Sequence, residues 1–142
     1  MAETTEQTVA ATTPVASPAK KRKTKRSVPY GQLHIQATFN NTIISFTDRN
    51  GAVLASSSAG ACGFRGSKKG TAYAAQVAGE KAANIVKQQY GMTKVDAFIK
   101  GIGQGRDAAI RTLANLDIAV ESIKDVTGVP HGGCRPKKAR RV

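Results

Sequence analysis

The alternation of apolar and polar side chains predicts a strand early in the chain. From residue 33 apolar side chains recur at every second position, which is the period of a strand with one buried face. The residues on this face are Leu33, Ile35, Ala37 and Phe39. The pair Asn40-Asn41 then indicates a turn.

Two further strands are predicted to follow this turn. Residues 42–48 are rich in β-branched and aromatic side chains, which favour a strand. Asn50-Gly51 is typical of a two-residue hairpin turn, because both residue types tolerate positive φ. Residues 53–56 are therefore expected to pair back as a third strand.

The pattern changes to the spacing of a helix after a glycine-rich segment at residues 57–70. Thr71 is a suitable N-cap and Gly91 a suitable left-handed stop, so a helix is predicted from residue 71 to about residue 90. Lys81 falls within its apolar stripe, which requires the lysine stem to extend out of the packed layer. The stripe comprises Ala74, Val77, Ala78, Ala82 and Ile85.

The second half of the chain predicts a strand, a helix and another strand. Residues 95–99 alternate, residues 101–105 break the pattern, residues 106–115 have helical spacing and residues 116–124 return to a strand. The order is βββαβαβ, and helical crossovers make the later strand pairings parallel and right-handed. The predicted fold class is therefore α/β with a five-stranded mixed sheet.

The distribution of charge adds basic arms to this domain. The chain has 142 residues, 22 Lys plus Arg against 9 Asp plus Glu, and a pI near 10.2. Residues 20–26 and 135–141 together hold eleven of the 22 basic residues, whereas residues 27–134 hold eleven basic residues against seven acids. Concentrated positive charge favours a polyanionic partner, nucleic acid first among them.

Three regions are expected from this distribution. Residues 1–29 form a disordered and basic N-terminal arm, residues 30–125 form the core domain, and residues 126–142 form a basic, extended tail. No run approaches the roughly 20 apolar residues of a membrane span, and Glu3 and Glu6 are untypical of a secretory signal. We expect an unsecreted protein without a membrane segment, with Cys62 and Cys134 reduced.

Two segments carry chemistry suited to RNA. The tail from His131 to Arg141 contains Pro136, resists helix formation and can follow a groove while its cations neutralise phosphates. Residues 60–70 combine glycines with Arg65, Lys68, Lys69 and Phe64, which offers an aromatic surface for an unpaired base. The alternative interpretations are a solvated charge run and a flexible connector.

Three other kinds of site are weakly indicated. Residues 101–106 resemble a dinucleotide fingerprint, but Arg106 replaces the third glycine and the segment follows the fourth strand. This turn can bind an RNA phosphate, or serve folding alone. A zinc site lacks paired Cys-x-x-Cys motifs, and a nuclease site formed by Asp48, Asp96 and Asp117 lacks an acid on the first strand.

Several motifs together resemble the bacterial form of small-subunit ribosomal protein eleven. The resemblance covers about residues 20–142. Its motifs are His34 to Thr42, Ser57 to Gly60, Gly63 to Gly66, Lys100-Gly101, Gly103 to Arg106, Asp125 to Thr127 and Cys134 to Pro136. The family implies a ribonuclease H-like sheet without catalysis, so no cofactor or metal is expected.

The resemblance also implies partners and contact residues. Small-subunit ribosomal RNA on the platform, neighbouring platform proteins and nearby messenger RNA are the implied partners. The contact residues carried over by position are Asn40, Asn41, Arg65, Lys68, Lys69, Gly103, Arg106, His131, Arg135, Lys137, Lys138, Arg140 and Arg141. The N-terminal run matches in character, and it adds Lys21, Arg22, Lys25 and Arg26.

The chain departs from the family pattern at a few positions. Gly132 stands where asparagine is common, Ile102 and Gly128 where proline is usual, and Ala55 where tryptophan is common. The predicted function is a structural constituent of the small ribosomal subunit, located in the cytoplasm on the ribosome and acting on no small-molecule substrate. The alternative is a free nucleic-acid-binding protein such as a nucleoid or RNA chaperone factor.

Overall fold

A computed structural model of the chain describes residues 26–141. The predicted order of strands and helices is confirmed. The five strands are β1 (Tyr30–Ala37), β2 (Thr42–Thr47), β3 (Val53–Ser58), β4 (Lys94–Gly101) and β5 (Ala119–Asp125). The two main helices are α1 (Ala72–Tyr90) and α2 (Gly105–Asn115), and two short 3-10 helices at Gly60–Cys62 and Gly66–Gly70 precede α1.

The strands form one mixed sheet in the order β3-β2-β1-β4-β5. The meander β1–β2–β3 is antiparallel, and β4 lies parallel to both β1 and β5. Parallel pairing follows from the two helical crossovers, which carry the chain back before each new strand begins. The carboxyl ends of β1, β4 and β5 therefore lie at the same end of the sheet.

Both main helices pack on one face of the sheet. Helix α1 covers β2 and β3, helix α2 lies over β1, β4 and β5, and the two helices contact each other. The core between these layers is formed by alternate strand residues and small helix residues, including Leu33, Ile35, Ile44, Phe46, Val95, Ala78, Ala82 and Leu113. Alanines on the helices allow close approach to the sheet.

Helix α1 begins and ends where the sequence predicts. The Thr71 hydroxyl accepts a hydrogen bond from the Ala74 N–H at 3.3 Å, and Gly91 adopts the left-handed conformation at φ 65°. The buried stripe of α1 is rotated about the helix axis relative to the predicted one. Val77 and Ile85 are only half-buried, whereas Val86 is fully buried. Lys81 consequently lies outside the buried stripe, and its Nζ donates to the Ala61 carbonyl at 3.1 Å.

The ends of two predicted strands require correction. Phe39 was assigned to the buried face of the first strand, but it lies beyond β1 and is 70% exposed. The last strand was predicted from residue 116, but it begins at Ala119 because Asp117 has a positive φ of 55° and interrupts the extended backbone.

The hairpin between β2 and β3 exists, but its turn differs from the predicted one. Only Gly51 has positive φ, at 89°, and Asn50 does not. The Asp48 carboxylate accepts hydrogen bonds from the N–H groups of Asn50 and Ala52, both at 2.9 Å. The side chain of Asp48 thus organises a longer connection than a two-residue turn.

The sheet face opposite the helices has no layer packed on it within residues 26–141. It presents His34, Gln36, Ile43, Phe98, Lys100 and Lys124. None of the helices in this part of the chain has the length and apolar character needed to cross a membrane.

Candidate nucleic-acid interface

Four connections meet at the carboxyl end of the three parallel strands. They are the β1–β2 turn at residues 38–41, the loop at residues 59–71 before α1, the β4–α2 turn at residues 102–104, and the tail that begins after β5. In sheets of this type, ligands bind outside the carboxyl ends of the parallel strands. The structure thus brings most of the predicted contact segments to one end of the domain.

The β1–β2 turn is held between two neighbouring connections by direct backbone packing. The Gly103 N–H donates to the Ala37 carbonyl at 3.1 Å. A Cβ atom at Gly103 would overlap the Thr38 carbonyl, and one at Gly70 would overlap the Phe39 carbonyl. The glycines therefore fix the spacing of three connections that are far apart in sequence.

The two asparagines of the β1–β2 turn have different surroundings. Asn41 is half-buried, and its Oδ1 accepts the Thr42 N–H at 3.0 Å. Its own N–H donates to the Thr38 hydroxyl at 3.1 Å, which closes the turn. Asn40 is exposed beside Phe39, so it presents its amide to solvent.

The loop before α1 displays cations that no acid among residues 26–141 neutralises. Arg65 and Lys68 are exposed and Lys69 is half-buried, and none of their side chains forms a hydrogen bond or ion pair within the described part of the chain. Left-handed glycines at Gly63 and Gly66 turn the backbone around Arg65. The loop is ordered by its two 3-10 helices, so it differs from the flexible connector considered above.

The aromatic surface at this loop was only partly predicted. Phe64 is half-buried because Tyr73 packs edge-on against it, with ring centroids 5.8 Å apart. Tyr73 is 65% exposed and lines a cavity of about 510 Å³ together with Gln104 and Arg111. Tyr73 was not singled out from the sequence. The signal that could have indicated it is an aromatic residue in the first turn of the predicted helix, next to a basic loop.

Arg106 links the β4–α2 turn to the start of the tail. Its Nη1 donates to the Gly101 carbonyl at 2.9 Å, and its Nη2 donates to Asp125 Oδ2 at 2.6 Å. Two of the five guanidinium N–H groups are therefore used within the protein, and the side chain remains 30% exposed. Gly103, predicted as a contact, is buried and uses its N–H inside the fold.

Asp125 organises the root of the tail. Its Oδ1 accepts the hydroxyl and the N–H of Thr127, at 2.5 and 3.0 Å, while the Thr127 hydroxyl oxygen accepts the Gly101 N–H at 3.1 Å. These hydrogen bonds from Thr127, followed by that from Arg106, lower the pKa of Asp125 to about 2. We call Arg106, Asp125 and Thr127 the tail root.

The tail root should lose its contribution to stability in acid. Because the folded pKa of Asp125 lies below its ordinary value of 3.8, the contribution is complete above that value and disappears as pH falls through about 2. Asp125→Asn should therefore flatten the decline in unfolding free energy between pH 5 and pH 2, measured by denaturant titration. Asp107→Asn is the control, since Asp107 makes no side-chain hydrogen bond or ion pair among residues 26–141. Equal slopes for wild type and Asp125→Asn would contradict the assignment.

Beyond its root the tail leaves the domain. Residues 128–141 are all exposed, and among the described residues none of them forms a hydrogen bond or ion pair with the core. The predicted contact residues here are His131, Arg135, Lys137, Lys138, Arg140 and Arg141. Their side chains are all accessible to a polyanion.

Comparison with known proteins identifies the family. The family described as ribosomal protein S11 matches residues 31–141. The small ribosomal subunit protein uS11 of Coprothermobacter proteolyticus is 60% identical over 123 residues, which cover 87% of this chain and 98% of that protein. The chain belongs to the ribosomal protein S11 family. The proteins named uS11c of Mesostigma viride and Cyanidioschyzon merolae are each 54% identical over 121 residues, 85% of this chain, and 92% and 99% of their own lengths.

The S11 match contains all four connections and the tail root, but it begins after the N-terminal basic run. Arg26 is exposed at the amino end of β1, where the Val28 N–H donates to the Tyr90 carbonyl at 2.9 Å. The eight residues of β1 separate Arg26 from the four connections by about 25 Å. Lys21, Arg22 and Lys25, and the predicted disorder of residues 1–25, lie outside the described residues.

The three acids considered for a nuclease site lie apart in this S11 family member. Asp48 accepts backbone N–H groups in the β2–β3 turn, and Asp117 pairs with Lys87 at 3.4 Å. Asp96 Oδ1 accepts the Ser122 hydroxyl at 2.6 Å on the open sheet face. Within residues 26–141 no three His, Cys, Asp or Glu side chains come together as a metal-binding group.

Proposed function

We propose that this protein is a structural constituent of the small ribosomal subunit, in the cytoplasm, and that it binds ribosomal RNA through the four connections, the tail included. The convergence of Arg65, Lys68, Asn40 and the tail at one end of the sheet is the observation that carries this proposal. It is supported by membership of the S11 family, since the relatives described above are named as small ribosomal subunit proteins. A free nucleoid or RNA chaperone role is not favoured by these relatives.

The proposed mechanism is neutralisation of phosphates by a rigid domain with a flexible extension. Arg65 and Lys68 have no acidic partner among the described residues, so each can contact a phosphate without first breaking an ion pair. Each such contact releases counterions from RNA, which contributes affinity without reading sequence. The ordered loop sets the position and orientation of the protein on the RNA, and the tail follows the RNA away from the domain.

The predicted contact residues divide into two groups under this proposal. Asn40, Arg65, Lys68, Lys69, His131 and the tail cations bind RNA directly, as do the basic residues of the N-terminal run. Asn41, Gly103 and Arg106 position the surface, because the Asn41 amide oxygen, the Gly103 N–H and both Arg106 Nη atoms already form hydrogen bonds within the protein. Their replacement is expected to alter RNA binding through the shape of the turn.

We further propose the finer assignments that the resemblance implies. The protein occupies the platform of the small subunit near the messenger-RNA exit region, supports subunit assembly and translation, and touches neighbouring platform proteins. It catalyses no reaction and acts on no small-molecule substrate.

Retention on the ribosome after a high-salt wash tests the proposed function. The full chain should co-sediment with small ribosomal subunits, because contacts distributed over several connections dissociate together only slowly. Lys68→Gln/Lys69→Gln should reduce retention and lower the salt slope of RNA binding by about 1.4 to 1.8 units. Absence of the wild-type protein from washed small subunits would exclude the ribosomal role.

A matched variant controls for net charge. Lys87→Gln/Lys94→Gln removes the same charge from the other end of the domain, where these lysines pair with Asp117 and Glu121 at 3.4 and 2.7 Å. This variant should retain wild-type salt dependence. Equal loss in both double variants would show that bulk charge, and not the converged surface, governs binding.

A further inference from the structure

A second surface of distinct chemistry lies on the open face of the sheet. The register places Ser45, His34, Phe98 and Lys124 in one row across β2, β1, β4 and β5. The neighbouring row toward the carboxyl end contains Ile43, Gln36 and Lys100. We call His34, Phe98, Lys100 and Lys124 the open-face patch.

Two rings in this patch are already stacked on each other. His34 and Phe98 have centroids 5.1 Å apart and an angle of 11° between their planes. Gln32 Oε1 lies 3.2 Å from His34 Nε2, which fixes the orientation of the imidazole from the other side. His34 is exposed, so the stack ends in a ring that a further planar group can reach.

The charge around the stack is positive once internal pairs are taken into account. Lys124 Nζ lies 5.7 Å from the Phe98 ring centroid. Lys100 is exposed and forms no side-chain hydrogen bond or ion pair among residues 26–141. Glu121 pairs with Lys94 at 2.7 Å, and the Asp96 carboxylate accepts the hydroxyls of Tyr30 and Ser122 but keeps its charge, so the two lysines leave a net positive charge around the stack.

A cavity of about 230 Å³ adjoins these groups. Its walls include His34, Phe98, Gln36, Ile43, Ser45 and Lys100. They combine aromatic and aliphatic surface with an amide, a hydroxyl and an ammonium group that can pair with the edge of a base. Val126 also lines the cavity, so it is continuous with the start of the tail.

We propose that the open-face patch binds one unpaired nucleobase of RNA, which stacks near His34 while Lys100 or Lys124 contacts the adjoining phosphate. This proposal rests on the proposed function and adds a base-stacking site to its phosphate contacts. Sequence-tolerant recognition of unpaired bases by aromatic residues and flanking cations is common in RNA-binding sheets. Positive charge complements RNA, and it argues against a basic peptide as occupant, because Lys100 and Lys124 outnumber Asp96, the acid on this face that has no ion-pair partner among residues 26–141.

A fluorescent base analogue tests this site in the full-length protein. A single-stranded RNA octamer carrying one 2-aminopurine should lose emission on binding, because the analogue stacks on a ring. His34→Ala should weaken binding of this octamer about tenfold and abolish the emission change. An octamer that is abasic at the same position should bind wild type and His34→Ala equally.

Two controls separate the base site from folding and from the phosphate contacts. Ser56→Ala alters an exposed residue in the same row on β3, two strands away from His34, and should behave as wild type. Phe98→Leu keeps an apolar side chain in the sheet and should reproduce the His34→Ala defect. Retention on small subunits is measured for every variant by the salt-wash assay.

The outcomes distinguish this inference from the proposed function. An unchanged emission response in His34→Ala, with wild-type retention on subunits, would overturn the base site alone. A wild-type protein that quenches the analogue but fails to remain on small subunits would support the base site and overturn the ribosomal role. Equal binding of the intact and abasic octamers to wild type would also overturn the base site.

Discussion

Removal of residues 135–142 should flatten the salt dependence of RNA binding by about 3.5 to 4.5 units in log affinity per log salt. The deletion eliminates five cations, Arg135, Lys137, Lys138, Arg140 and Arg141. Each phosphate contact that is lost removes about 0.7 to 0.9 from the slope. Filter binding or fluorescence anisotropy with small-subunit ribosomal RNA at several salt concentrations measures this change.

The deletion should leave the domain intact, which makes its effect on binding interpretable. Residues 135–141 are exposed and make no hydrogen bond or ion pair with the core in the described part of the chain, so thermal unfolding should be unchanged. A variant with glutamine at the five cationic positions should reproduce the deletion. A slope that stays at the wild-type value would mean that the tail is solvated and does not touch phosphates.

The substitution Gly70→Ala should destabilise the domain by about 2 to 3 kcal/mol, because the new methyl group overlaps the Phe39 carbonyl. The backbone at residue 70 or at residue 39 must then move, because the overlapping carbonyl of Phe39 belongs to the backbone and not to a flexible side chain. For a domain of this size the loss corresponds to a fall in melting temperature of roughly 10 to 20 °C. Denaturant and thermal unfolding both measure it.

Gly60→Ala provides the matched control within the same loop. The nearest atom to a Cβ at Gly60 is Lys69 Cδ at 3.7 Å, which is ordinary contact. This variant should remain within about 0.5 kcal/mol of wild type. Similar stability for Gly60→Ala and Gly70→Ala would refute the close packing of the β1–β2 turn against the loop.

Elements with local signals were predictable from the sequence. Period-two alternation located β1 and β4, and the flanking residues Thr71 and Gly91 fixed both ends of α1. These signals are local because a strand face or a helix cap depends on neighbours within a few residues. The mixed sheet followed from the order of elements, since helical crossovers require parallel strands.

Features that depend on distant contacts were not predictable. Phe39 continues the alternation of β1 in sequence, yet it lies inside the turn that the hydrogen bonds between Thr38 and Asn41 close. The exact face of α1 that is buried depends on how the helix meets β2 and β3, and a small rotation removed Lys81 from it.

In the candidate site, too, some features have local sequence signals and others depend on distant contacts. Its cationic segments could be located from the distribution of charge along the sequence, and the resemblance added Asn40 and Asn41 as contacts. Whether a cation is available to RNA depends on the fold, because Arg65 lacks an acidic partner in the described residues while Arg106 is bound to Asp125. The open-face patch was missed because its members come from three strands that only the register aligns.

The tail root has a kinetic consequence. Residues 128–141 can extend about 45 Å from Thr127, whose position relative to the β4–α2 turn is fixed by Arg106 and Asp125. Once the loop is seated on RNA, the tail samples nearby phosphates at an effective concentration in the millimolar range. Rebinding of the loop or of the tail should then be faster than dissociation of the whole protein, so anchoring one end of an extended segment converts two weak attachments into a long-lived one.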